Sequence, residues 1–161
     1  WRDNRLNMIH EGTHGIQGMD LLGRKVVMDG GAGLKLLATT INATIDRAGQ
    51  VPGLAEHGAT LAAALQKLGA ATKAAWSTGD PQDALANATP YLQAFGHVVL
   101  AWVWLDVALA AQQFTQPADF VQGKLQCCRY FHAFELPKID AWLAVVAART
   151  AVCRDMQDAW F

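Results

Sequence analysis

Apolar residues along this chain recur at three- and four-residue steps rather than in alternation, the pattern of helices that each bury one face. Ile16, Met19, Leu22 and Val26 make one such stripe and predict a helix from about Ile16 to Met28. Residues 1–15, ahead of it, read as a short helix or turn leading into a loop opened by Gly12, Gly15 and Gly18. Asp29-Gly30-Gly31 interrupts the pattern, and a second helix from about Gly33 to Arg47 carries Leu34, Leu37, Ile41 and Ile45 on one side. Gly49 and Pro52-Gly53 mark a turn. Leu54, Leu61, Leu65 and Leu68 predict a third helix reaching about Trp76. Residues 77–81 form a connection in which Asp80 suits an N-cap and Pro81 the first helical turn. A long helix then runs to about Phe114, bent at Pro90. Its centre, Val98 to Leu105, is apolar nearly all round, as expected of the central helix of a bundle. Thr115-Gln116-Pro117 ends it. Helices from about Ala118 to Phe134 and from about Pro137 to Ala159 follow, with Glu135-Leu136-Pro137 as their corner. No strand periodicity and no internal repeat interrupts this series. The expected fold class is all-α, an antiparallel up-and-down helical bundle with short loops.

Composition narrows the functional classes. A net charge of -1 supplies no basic field for nucleic acid. The stretch Val98 to Ala111 is apolar but contains Asp106 and is too short for a bilayer, so it reads as a buried helix and no membrane span is expected. Three cysteines, two adjacent (Cys127, Cys128) and one distant (Cys153), form neither a disulfide framework nor a metal spacing. A reducing cytoplasm is the expected setting, and no signal peptide is visible. The chain lacks an initiator Met and its first residues already sit inside a motif, so the sequence reads as a piece of a longer polypeptide.

That motif is His10-Glu11-Gly12-Thr13-His14. As H-E-x-x-H it resembles a zinc-hydrolase helix, in which two imidazoles one turn apart share a metal and the Glu acts as base. Glycines at 12 and 15 weaken such a helix by roughly 1 kcal/mol each. The third ligand is also missing: Gln17 and Asp20 stand where the extended pattern wants Gly and His, and no Glu lies between Glu11 and Glu56. No metal ligands are therefore assigned, and a zinc hydrolase is the remote alternative. By residue chemistry alone, Glu11 reads as an acidic residue favoured at a helix start, and His14 as a loop histidine in solvent.

The wider run carries a resemblance. Arg2-Asp3-x-Arg5, then Ile9-His10-Glu11-Gly12-Thr13-x-Gly15-Ile16-Gln17 and Asp20-Leu21-Leu22-Gly23-Arg24-Lys25, is similar to the C-terminal catalytic segment of acyl-CoA dehydrogenases. A second block resembles the extra C-terminal helical module of the larger bacterial members. It comprises Tyr91-Leu92, Phe95-Gly96-His97-Val98-Val99, Ala101-Trp102-x-Trp104, Gly123-Lys124-Leu125, Tyr130-Phe131 and Glu135-Leu136-Pro137. The stretch from about Thr39 to Ala88 adds little. The resemblance implies two regions: residues 1–50, the end of the dehydrogenase C-terminal helical domain with its catalytic loop, and residues 51–161, the accessory module, which can pack with the first as one domain.

The resemblance also implies the chemistry. α,β-Dehydrogenation takes a proton from the carbon beside a thioester and passes a hydride to flavin, so it needs a carboxylate base at the α-carbon and a donor for the developing enolate. Glu11 is implied as the base, with its own backbone N–H on the thioester oxygen. Gly12 and His10 are implied beside substrate, and Thr13, His14 and Gly15 against FAD. His10 departs from the Tyr common before the Glu and can alter the base's pKa or the acyl pocket. Asp20, Arg24 and Lys25 are expected to make structural polar contacts or flank the flavin; His97, Trp102 and Trp104 are expected to pack. The implied partners are an acyl-CoA substrate, an electron-transfer protein and further copies in a homo-oligomer. Most of the FAD site lies in domains outside these residues, so the isolated chain is expected to be inactive and flavin-free. A helical dimerisation or interaction module without catalysis is the alternative.

Overall fold

Punctuation residues set most helix boundaries. The computed structural model describes residues 13–113 and 117–161. The first helix, α1 (His14–Asp20), starts two residues earlier than the apolar stripe predicts and widens into a π-helical turn, Leu21–Lys25. α2 (Met28–Gly49) is broken near its start by Asp29, Gly30 and Gly31, all left-handed with φ 52°, 64° and 80°. Consecutive left-handed residues cannot continue a right-handed helix, which is why two glycines follow the Asp. Gly53, at φ 85°, closes the turn into α3 (Ala55–Ala75).

The expected single helix from Pro81 to Phe114 is two. Asp80 caps α4 (Pro81–Leu85) by accepting from the Gln82 N–H at 2.9 Å, as its position predicts. The chain then breaks before α5 (Ala88–Gln113). Pro90 has no N–H for the Ala86 carbonyl and its ring would strike it, so a new helix starts with Pro90 in its first turn. α6 (Ala118–Tyr130) passes through a second π-helical turn, Phe131–Glu135, and a 3₁₀ turn, Leu136–Lys138, into α7 (Ile139–Ala147).

The last helix is a second correction: it ends twelve positions short of Ala159. Arg149 turns left-handed at φ 51°, and its guanidinium donates to the Ala74 carbonyl (3.1 Å) and to Ser77 Oγ (2.6 Å). Residues 150–157 are non-helical, and a 3₁₀ turn, Asp158–Trp160, follows.

Among the described residues every element is helical, as an all-α bundle requires. α5 is its centre, packing on α1, α2, α3, α6 and α7. Its residues Ala88, Tyr91, Ala94, Val98, Ala101, Leu105 and Ala108 are buried at three- and four-residue steps. The alanines let neighbouring helices approach closely. Leu54, Leu61 and Leu68 of the predicted α3 face are buried, with Leu65 packed at the margin; each full burial contributes about 1.5–3 kcal/mol. On α2, Ile41 is buried and Leu34, Leu37 and Ile45 pack around it. The whole of α5, unlike its central stretch, is long and apolar enough to cross a bilayer by length and composition. Five helices pack on it and bury part of that apolar surface, while Leu100 and Val103 stay exposed. Asp106, the one acid within it, pairs with Arg47 of α2 at the half-exposed rim.

The first predicted stripe splits. Leu22 and Val26 are buried, whereas Ile16 and Met19 are exposed. The residue that α1 buries is Gly18.

Candidate functional site

Of the proposed site residues, His10, Glu11 and Gly12 lie outside the described residues. Thr13, His14 and Gly15 are described, and they do not form the expected loop. Thr13 is the N-cap of α1, its carbonyl accepting from the Gln17 N–H at 2.8 Å. His14 and Gly15 are the first turn of the helix itself. All three are exposed. A Cβ built on Gly15 would meet nothing within 4 Å, so that side of the turn is open. The groove beside it continues past Met19 to Asn87, Pro90 and Cys153. The site therefore presents a hydroxyl, an imidazole and a bare backbone on one accessible turn.

The rest of this segment is held from behind. Gly18 presses on the start of α5: a Cβ there would lie 2.7 Å from the Ala88 carbonyl oxygen. A Cβ at Gly23 would lie 3.2 Å from the Leu85 side chain of α4. The Trp76 indole N–H donates to the Leu22 carbonyl at 3.1 Å. Asp20 accepts two hydrogen bonds from Arg24, at 2.6 and 3.1 Å, with Lys25 at 3.7 Å. The Arg24 hydrogen bond holds the Asp20 carboxyl below its ordinary range, aided by the charges of Arg24 and Lys25 and opposed by desolvation. These three residues make the structural polar contacts expected of them.

His97, Trp102 and Trp104 pack, as expected. The His97 ring meets Trp142 edge-on at 4.7 Å, and its Nε2 lies 3.6 Å from Glu135. The Trp102 indole donates to Thr44 Oγ1 at 2.9 Å. Trp104 borders a shallow groove with Tyr130 and Phe131. Sequence reasoning missed a buried polar centre around His132. That ring lies between the Thr60 hydroxyl (Nδ1, 2.9 Å) and the Ala101 carbonyl (Nε2, 3.3 Å), with His57 at 4.9 Å. Burial first, then the His57 charge, lowers its pKa to about 4. Trp76 and Gly18 were also missed as anchors; a tryptophan ahead of Ser77-Thr78-Gly79 was the only local signal. The two vicinal thiols differ: Cys128 is buried and pushed up to about 11, whereas Cys127 is exposed. Among the described residues no three His, Cys, Asp or Glu side chains converge on a common point.

Comparison with known proteins points one way. Residues 37–157 match the family model described as acetyl-CoA dehydrogenase C-terminal like. The chain is 35% identical over 144 residues to 3-methylmercaptopropionyl-CoA dehydrogenase of Ruegeria pomeroyi, an alignment covering 81% of this chain. It spans only 23% of that relative's length.

Proposed function

The chain belongs to the acyl-CoA dehydrogenase family as its C-terminal segment, and from that premise we propose that it forms part of an FAD-dependent enzyme introducing an α,β double bond into an acyl-CoA thioester. The observation that carries this is the pairing of the two stretches. A family-matched helical module from residue 37 onward is packed directly against a turn that continues Glu11-Gly12-Thr13.

In this reading the Glu11 carboxylate takes the α-proton, and its backbone N–H donates to the thioester oxygen, where charge develops. Gly12 keeps side-chain bulk away from the thioester, and His10 shapes the acyl pocket. Thr13, His14 and Gly15 fit the flavin: the structure leaves all three exposed, with open space where a Gly15 side chain would stand. When bound, FAD accepts the β-hydride. Residues 1–50 are the end of the catalytic helical domain and residues 51–161 the accessory module. The complete enzyme is a cytoplasmic homo-oligomer that passes electrons to a protein partner, and this polypeptide alone neither holds FAD tightly nor turns over substrate.

The test is Glu11→Gln in the full-length polypeptide. Bleaching of the flavin on mixing with acyl-CoA should be abolished while FAD content and assembly stay normal. Retained bleaching overturns the assignment. 3-Methylmercaptopropionyl-CoA is the first substrate to assay, alongside unsubstituted acyl-CoAs of several lengths. The second reading, an interaction module, has one observation in its favour: Tyr130 and Phe134 stack at 5.1 Å, each more than half exposed. Loss of oligomer in Phe134→Ser, together with no loss of flavin reduction in Glu11→Gln, would favour it.

A further inference from the structure

Three contacts pin one side of the segment that follows the proposed base, and all three come from the accessory module. Gly18 meets the α5 backbone, Gly23 meets Leu85, and between them the Leu22 carbonyl receives the Trp76 indole N–H. The first two are contacts of shape. The third is directional, and it falls inside the π-helical turn Leu21–Lys25, where the widened ladder bonds Val26 N–H back to Leu21 at 3.0 Å. A π turn is a place where helix register is set, and Trp76 holds a carbonyl within it from 54 positions away.

Trp76 is itself braced. The Gly79 N–H donates to the Trp76 carbonyl at 3.1 Å, in a turn that Gly79 closes with φ 73°. Arg149 ties Ala74 and Ser77, on either side of Trp76, to the chain after α7. The Asn87 amide donates to the Thr150 carbonyl at 2.9 Å, and Arg154 pairs with Asp83 of α4. The tail thus holds the α3–α4 turn, and that turn holds the π turn in which α1 ends.

We propose that Trp76 is a positioning residue for the dehydrogenation, fixing the register of the π turn and of α1 ahead of it, and so the placement of the Thr13-to-Gly15 turn proposed to meet the flavin, through the Leu22 carbonyl, with Arg149 supporting it from behind. The accessory module is then a working part of the active site as well as an appendage to it. The proposal rests on the dehydrogenase reading above.

Trp76→Phe in the flavin-loaded full-length polypeptide keeps an aromatic ring and removes the N–H. Flavin reduction by acyl-CoA should slow roughly fivefold, the factor one lost hydrogen bond allows, with KM for acyl-CoA unchanged. Amides of residues 14–25 should exchange faster while those of α5 keep their protection. Trp102→Phe is the control: it removes an indole bond of similar length, to Thr44 of α2, that does not touch residues 14–25, and should leave flavin reduction unchanged. Arg149→Met should reproduce the Trp76→Phe effect in weaker form. If Trp76→Phe behaves like Trp102→Phe in rate and in exchange, the proposal fails. If Glu11→Gln still reduces flavin, the dehydrogenase reading fails instead, whatever Trp76→Phe does.

Discussion

The Tyr91 hydroxyl and the Thr72 hydroxyl meet at 2.7 Å inside the bundle, and Thr72 in turn donates to the Leu68 carbonyl at 2.8 Å. One hydroxyl proton per residue fixes the order: Tyr91 donates to Thr72, and Thr72 to the α3 backbone. The two deletions are therefore unequal. Tyr91→Phe leaves Thr72 with its own acceptor and should cost about 1 kcal/mol. Thr72→Val strands a fully buried phenol, whose pKa burial already pushes up to about 12, and should cost about 1–3 kcal/mol. Urea unfolding of both variants measures the difference; equal losses would count against this order of donation.

His132 makes stability depend on pH in a defined window. Its folded pKa, lowered to about 4 by burial and by the neighbouring His57, lies below the ordinary 6.5. Between these values the unfolded chain takes up a proton that the folded chain refuses. Stability is therefore complete above pH 6.5 and falls as pH drops toward 4, by roughly 3 kcal/mol. His57, lowered first by its own desolvation, adds to the same slope. His132→Gln should flatten the stability profile between pH 4 and 6.5. A profile that keeps its slope in the variant would assign the loss to other groups.

The helical class was legible because the apolar steps of three and four persist through nearly every buried position, from Ile41 to Val146. Two boundaries were not. Pro90 reads locally as a bend, and only the carbonyl four residues earlier shows that it begins a helix. The end of α7 depends on Arg149 reaching α3, a contact 75 positions apart that no local pattern encodes. In the site, Ile16 and Met19 fit a helical stripe by spacing yet face outward, because the close approach of Gly18 to α5 sets the rotation of α1. Periodicity counts side chains and is blind to a contact made by the absence of one.

The three thiols should separate by reactivity. Cys127 and Cys153 are exposed, and Cys128 is buried with its pKa raised to about 11. Thiolate is the reacting form, so burial and a raised pKa both protect Cys128. A thiol reagent at neutral pH should modify two cysteines in the folded protein and the third only after denaturation. Mass spectrometry of the labelled peptides decides it, since Cys127 and Cys128 share one peptide that should carry a single label.

Gly15 and Gly18 stand one helical turn apart and should respond oppositely to the same substitution. Neither needs a left-handed backbone, so only space and helix propensity matter. A methyl at Gly15 enters open space, and replacing a helical glycine by alanine stabilises by up to about 1 kcal/mol, less in a first turn. A methyl at Gly18 would sit 2.7 Å from the Ala88 carbonyl oxygen. Backbone cannot swing aside as a side chain can, so α1 must lift from α5 at a cost of about 1–3 kcal/mol. Thermal melts of the isolated chain should show Gly15→Ala at or slightly above the parent and Gly18→Ala well below it. In the flavin-loaded polypeptide the order at Gly15 should invert: the added methyl would stand where the cofactor is proposed to lie, and FAD retention should fall. A Gly15→Ala protein that is both more stable and fully flavinated would remove Gly15 from the cofactor site.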